Sequence, residues 1–430
     1  MAIDREHFVI REHCHINQNG DGDRFVGVKA DSNNAMIYFP AGYELPVQDD
    51  ELRRDIKNLF LVLATFTEKT DRVLEMDKFT APQSVDFPIQ AYLNVINYYL
   101  DHNGSYYTET ETSYKVDKRG KTNWGRTIKT QTPMVQGKSI IYLNQVVRVS
   151  TPDLNRLITR IHRYCVYESF ERIGWLYTTN TPERPDIMFD KNMFLATLNT
   201  KLGSTNNDSD KKLFRSMIAM IEFQDNQTID KQFYFGTDKF ETVWERLIDK
   251  VFGVSNKDDY FPHGLWTERY GKNKGKPASA LEPDTIMIYG GKYYVLDAKY
   301  YRYGILPQYG PSLLPQSSDI NKQITYGQFV KNQRTPAGAQ VFNAFIMPYN
   351  RANNLFNING VFGNVAEAVG DWVTDPNNPE TYERVQGIVF DTRYLLKNYD
   401  GNHDSDKEEL IKEIERPFIE EQNAAADGED

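Results

Sequence analysis

Five side chains stand out as a set that could do chemistry: Asp284, Asp297, Lys299, Glu245 and Gln323. The centre of the set is the stretch "EPDTIMIYGGKYYVLDAKYY", Glu282 to Tyr301. Gly290-Gly291 suits the two central positions of a tight primed turn, where both residues need positive φ. Counting outward from that turn sets Tyr289 opposite Lys292 and, at the far end, Asp284 opposite Asp297. Opposed residues on one face of a hairpin have Cβ atoms about 4.5–5.5 Å apart. Lys299, two residues beyond Asp297, falls on the same face, and Glu282 falls opposite Lys299. Two carboxylates forced together at the end of an apolar hairpin repel, and burial worsens the cost unless a cation lies between them. A divalent cation resolves the conflict, and hard oxygen donors suit Mg²⁺. Asp284 and Asp297 are therefore the expected metal ligands. Such a pair with a nearby ammonium suits phosphodiester hydrolysis, in which the cation binds the scissile phosphate and activates water and the lysine steadies developing charge.

These residues need elements to hold them. The run "TDKFETVWERLIDKVFG" predicts a helix with Thr237 as N-cap, a stripe at Phe240, Val243, Trp244, Leu247, Ile248 and Val251, and Gly253 as stop. Glu241 and Glu245 are one turn apart on it and can face one direction, and Glu245, next to Val243-Trp244 at the buried edge, is the favoured further candidate. "SDINKQITYGQFVKN" predicts a second helix capped by Ser318 or Asp319, which carries Gln323 and Tyr326. There the Gln323 amide can bind a phosphate or hold the lysine. "QVFNAFIMPY" and "RVQGIVFDTRYL" read as strands. Both faces of the hairpin are apolar, which predicts an interior strand pair covered on both sides. The order helix, hairpin, helix, strand is an α/β (α+β) arrangement.

Upstream, residues 1–112 read as an N-terminal mixed α/β region, with helices over "DDELRRDIKNLFLVLATFTEKT" and "FPIQAYLNVINYYLDHNG". Residues 113–232 read as a basic β segment followed by helices, "STPDLNRLITRIHRYCVYESFERIGWLY" starting at a Ser150 or Thr151 cap with Pro152 in its first turn. His162 and Cys165 on that helix read as core. "NTKLGSTNNDSDKK" (199–212) reads as a loop and a candidate boundary. Residues 233–400 hold the hairpin and its helices, and 401–430 read as a mobile acidic tail.

The 430 residues are 40% hydrophobic and 26% charged, the composition of a globular protein. The formal net charge of -10 is unevenly spread. From Gly401 to Asp430 eleven acids face three bases, a surplus of eight negative charges, so the remainder is close to neutral. From Lys115 to Arg148 eight bases face one acid. A polyanion partner is compatible with that local field. Arg119, Lys121, Arg126 and Lys129 in "KRGKTNWGRTIKT" are the expected DNA-phosphate contacts, with Lys272 and Lys274 of "YGKNKGKP" beside the hairpin. A surface that docks a partner subunit is the competing use of the first cluster. No window is apolar enough for a membrane span and no secretory leader is read, and two cysteines build no disulfide framework. A cytoplasmic location is expected.

Pro283-Asp284 followed by Asp297-Ala298-Lys299, after a helix bearing Glu245, resembles the PD-(D/E)xK nuclease superfamily, whose core is a mixed sheet flanked by helices. Gln323 with Tyr326 resembles the Gln-Tyr motif of the RecB-like branch, here one residue shorter. A narrower resemblance rests on "TNWGRTIKTQTP", "IHRYCVYESFERIGW", "FETVWERLIDKVFG" and "PDTIMIYGGKYYVLDAKYY", over roughly residues 90 to 350. These are similar to the LlaJI-type restriction endonucleases, related to McrC. The resemblance implies metal ligation by Asp284 and Asp297, a catalytic Lys299 and an auxiliary Glu245. It also implies an AAA+ GTPase (McrB-like) partner or second restriction subunit, since Gly137-Lys138-Ser139 lacks the earlier glycine of a phosphate-binding loop.

Three functions are thereby set against one another. The first is a Mg²⁺-dependent endonuclease of a restriction-modification system cutting double-stranded DNA, with a homodimer as one way to cut both strands. The second is a McrC-like nuclease subunit that cuts only with a GTPase partner. The third is a nuclease fold kept as a binding module without chemistry.

Overall fold

The computed structural model describes residues 9–30, 35–67, 85–178, 181–225, 233–270, 274–306 and 310–427. The chain forms two compact units, one over residues 87–231 and the other over 9–86 together with 232–430. These units part at 86/87 and 231/232, whereas the sequence reading places divisions at 112, 232 and 400. The N-terminal region belongs with the hairpin region, because strands from both build one sheet.

That N-terminal segment holds β1 (Cys14–Ile16), β2 (Val26–Ala30), β3 (Ala35–Phe39), α1 (Asp49–Phe66) and β4 (Val85–Asp86). Helix α1 begins with three acids at the positive end of its dipole and buries Leu52, Ile56, Leu59, Phe60 and Leu63, as its 3.6-residue stripe predicts.

The inserted unit contains α2 (Ile89–Asp101), β5 (Glu109–Asp117), β6 (Lys121–Thr122), α3 (Trp124–Thr130), β7 (Met134–Gln136), β8 (Ser139–Ile141), β9 (Gln145–Asp153), α4 (Leu157–Ile173), α5 (Lys191–Ser204) and α6 (Asp208–Asp225). The sheet order is β5-β9-β6, with β7-β8 as a separate hairpin. Two expectations are corrected. Strand β9 runs on through Asp153 and pairs with β5, so Ser150 and Thr151 cap nothing and α4 starts at Leu157. The polar run 199–212 is mostly helix, with the break between α5 and α6 at 205–207, because its polar residues are the outer face of a helical hairpin. His162 and Cys165 are core, as expected. His162 Nδ1 accepts the backbone N–H of Tyr107 at 2.8 Å, and burial holds its pKa down at about 3.

The remaining chain adds β10 (Phe233–Thr237), α7 (Phe240–Phe252), β11 (His263–Thr267), β12 (Lys274–Ala280), β13 (Thr285–Tyr289), β14 (Lys292–Ala298), α8 (Ser317–Gln333), β15 (Val341–Tyr349), β16 (Phe362–Val369), β17 (Arg384–Asp391), α9 (Thr392–Asn398) and α10 (Asp404–Asp427). Strand β10 joins the first sheet, in the order β1-β3-β2-β10-β4. The second sheet runs β13-β14-β15-β17-β16, with parallel pairs β14/β15 and β15/β17 between antiparallel pairs at both edges. This is the mixed sheet flanked by helices that the resemblance to the PD-(D/E)xK nucleases implies. The hairpin is not an interior pair, since β13 is an edge strand, yet both its faces are covered. Tyr326 and Val330 of α8 pack on Ile286 and Val295; α7 also packs on both hairpin strands, and α10 reaches the face of Lys292 and Tyr294 through Glu415.

The expected mobile tail is instead that helix. Its acids conceal an i, i+4, i+8 stripe of Leu410, Ile414 and Phe418, the first two fully buried, and Phe418 meets Phe342 edge-on at 5.3 Å. Several of its acids are partnered. Glu415 takes Lys292 Nζ at 2.7 Å and the Tyr294 hydroxyl at 2.5 Å, and Arg384 grips Glu421 with both terminal nitrogens at 2.6 and 2.7 Å.

Candidate active site

The hairpin register is the one counted from its turn. Gly290 and Gly291 have φ of 57° and 77°, and the pairs run from Tyr289 opposite Lys292 to Thr285 opposite Leu296. Asp284 is the next residue out and faces Asp297 at the open end. One oxygen of Asp284 accepts the Ala298 N–H at 2.9 Å, which ties the loop to β14. Asp297 is 2% exposed and belongs to β14, flanked on its other side by Phe345 of β15.

Lys299 leaves the strand with its N–H donating to the Ile346 carbonyl at 2.9 Å. Its ammonium lies 2.8 Å from Asp297 Oδ2 and 3.2 Å from Asp319 Oδ1. The expected contact with Glu282 is replaced by this one to Asp319. Asp319 is the third residue of α8 and not its cap. Gln316 is the N-cap, in a reciprocal capping box with Asp319. Similarly Thr237 does not cap α7; its hydroxyl accepts the Lys239 N–H one step before the helix.

Helix α7 carries Glu245 to the site because its whole predicted stripe is buried and the Trp244 indole N–H donates to the Ile346 carbonyl at 3.1 Å. Glu245, Asp249, Lys257, Glu282 and Asp284 line a cleft of about 310 Å³. Lys257 is fixed there, donating to Asp249 at 2.7 Å and to the Asp284 carbonyl at 2.9 Å.

Electrostatically the cleft is short of positive charge. Burial, then repulsion from Asp297 and Glu245, pushes the Asp284 carboxyl up to about 7. Burial raises Asp297 too, against the pull of Lys299, and burial followed by the Asp297 charge raises Glu245. Lys299 is shifted the other way. Partial burial works against its charge, but Asp297 and Asp319 outweigh it and hold the ammonium charged. Asp284 and Asp297 are hard oxygen donors suited to a divalent ion. Among the described residues no group of three or more His, Cys, Asp or Glu is placed to hold a metal. An ion on these two would take its other ligands from water and substrate, as Mg²⁺ commonly does.

The structure therefore brings Asp284, Asp297, Lys299 and Glu245 together. Gln323 is not among them. It is buried against the sheet, and its amide donates to the Val295 carbonyl of β14 at 2.7 Å. Helical geometry decides this, since a one-residue step turns a side chain by about 100°, and the neighbour Lys322 is exposed, within the field of Asp297 and Asp284. Arg119, Lys121, Arg126 and Lys129 are exposed in the inserted unit, with the Arg126 guanidinium 3.7 Å above the Tyr114 ring. Lys274 opens β12, and Lys272 lies outside the described residues. Asp319 and Lys322 were missed as site residues. Their shared i, i+3 face on α8 was the available signal.

The sequence signature of the LlaJI restriction endonucleases matches residues 25–368. The chain belongs to the LlaJI restriction endonuclease family. Within it, Asp284, Asp297, Lys299 and Glu245 all fall inside the matched span. The chain is similar to the Type II restriction enzyme BsuMI component YdjA of Bacillus subtilis (strain 168), at 27% identity over 368 residues, 81% of this chain and 77% of the relative. A loose likeness, with TM-score 0.34 and 15% identity, links 88% of the chain to 81% of one in a half-complex of Thermococcus gammatolerans McrB AAA+ hexamers with bound McrC. As in the sequence, no helix among the described residues is long and apolar enough to cross a membrane.

Proposed function

We propose that this chain is the DNA-cleaving subunit of a restriction system, hydrolysing phosphodiester bonds of double-stranded DNA at the cleft beside Asp284. The observation that carries the reading is the facing of Asp284 and Asp297 with Lys299 held against Asp297. Family membership supports the class of reaction.

In this reading Asp284 and Asp297 would hold Mg²⁺, which would supply charge neutralisation at the scissile phosphate and a more acidic water. Lys299 stays an ammonium near neutral pH, so it serves as a fixed positive charge and not as a base. Its two carboxylate partners keep that charge from turning away. Burial and the Asp297 charge raise the affinity of Glu245 for a proton above that of a free carboxylate, the direction a general base needs. Trp244 and the buried face of α7 hold it at the cleft. The exposed bases Arg119, Lys121, Arg126 and Lys129 would hold DNA phosphates, adding affinity and not sequence readout.

A second subunit is favoured by the printed description of the B. subtilis relative as one component of its enzyme. The test is incubation of the chain with phage DNA and Mg²⁺, with and without neighbouring gene products and with GTP added or omitted. Discrete fragments that vanish with Asp297→Ala or Lys299→Ala support the site. Cutting by the chain alone excludes an obligatory partner. Full cleavage by either variant removes the site assignment, and no cleavage in any mixture favours a binding module without chemistry.

A further inference from the structure

The cations around the cleft are not equally available. Lys257 is committed to Asp249 and the Asp284 carbonyl. Lys299 is committed to Asp297 and Asp319. Lys322 is different. It lies one turn after Asp319 on α8, and among the described residues it forms no ion pair, although it stands in the field of Asp284 and Asp297.

Its position is set by Tyr326, one turn further on. The Lys322 ammonium lies 5.4 Å from the centre of the Tyr326 ring. Tyr326 is itself fully buried, and its hydroxyl donates to the Glu282 carbonyl at 3.2 Å, at the edge of the cleft. The Tyr326 side chain steadies one side of the ammonium through its ring and its hydroxyl, and the N–H donors turned away from it remain for an incoming anion. Gln323, the adjacent residue, is occupied with the Val295 carbonyl and offers nothing to the cleft.

We propose that Lys322, propped by Tyr326, is the substrate-binding cation of this cleft and grips a backbone phosphate of the DNA. The assignment rests on the nuclease reading above. It divides the work between two lysines: Lys299 is a fixed charge within the carboxylate cluster, and Lys322 is the lysine that reaches substrate.

The test compares the full chain, with any subunit its cleavage requires, as wild type, Lys322→Gln and Lys322→Arg. Binding of a short fluorescent duplex is measured in EDTA across a salt series, and cleavage is measured separately in Mg²⁺. Loss of one phosphate contact lowers the slope of log affinity against log salt by about 0.9. The expected result is that shift in Lys322→Gln with weaker cleavage, recovery in Lys322→Arg, and unchanged melting temperature. If Lys322→Gln alters only the pH profile and keeps the salt slope, Lys322 is a counter-charge for the acids and the proposal fails. Unchanged binding and cleavage also overturn it while leaving the nuclease reading intact. A wild-type protein that neither binds nor cuts duplex DNA overturns both.

Discussion

Trp244 and Lys299 share one acceptor. The Trp244 indole N–H donates to the Ile346 carbonyl at 3.1 Å and the Lys299 backbone N–H to the same oxygen at 2.9 Å. One peptide group of β15 thus sets both the helix that carries Glu245 and the strand exit that carries the lysine. Trp244→Phe removes the indole donor and leaves part of the buried ring's volume unfilled, at a cost of about 1–3 kcal/mol. Urea unfolding measures that loss. Cleavage per folded molecule is expected to fall further, because the spacing of Glu245 and Lys299 loosens.

Asp284 makes the folded protein sensitive to pH in a definite direction. Its folded pKa of about 7 lies above the ordinary carboxylate value. Its contribution to stability is therefore fully present below about pH 4 and is lost as pH rises through about 7. In EDTA, melting temperature should decline over that window on account of this group. Asp284→Asn should flatten the decline, and an unchanged slope would contradict the assigned cause.

Mg²⁺ should reverse that penalty. A ligand that binds only the folded state at one hundred times its dissociation constant adds about 2.7 kcal/mol. Thermal melting with and without Mg²⁺ should show a gain in wild type and none in an Asp284→Asn, Asp297→Asn double variant. An equal gain in both would place the ion elsewhere.

Gln323 is a support of the sheet in this structure. Gln323→Ala frees the Val295 carbonyl inside the core and should cost about 1–3 kcal/mol. Denaturant unfolding reads the loss, while the duplex-binding salt slope should stay at the wild-type value.

The C-terminal helix is expected to be integral to its unit. Leu410→Ala leaves a void under α10 and should cost about 2–5 kcal/mol, read by thermal or urea unfolding. Removal of residues 404–430 would expose the hairpin face bearing Tyr294 and should leave the protein insoluble.

The local parts of the site were legible in the sequence. A Gly-Gly turn has one comfortable geometry, so the register, and with it the facing of Asp284 and Asp297, follows from counting. The burial of α7 follows from its stripe in the same way. What depends on distant chain did not follow. Asp319 as the second partner of Lys299, the turning of Gln323 into the sheet and the pairing of N-terminal strands with β10 are set by packing between segments far apart in sequence. The acidic end illustrates the reason. Its charge count alone reads as a solvated tail, but Lys292 and Arg384 lie more than thirty residues away and pair with Glu415 and Glu421 only once the fold assembles. Sequence determined which residues could face one another across a turn; tertiary structure decided which of the remaining charges found ion-pair partners and which, like Lys322 among the described residues, rest on an aromatic side chain instead.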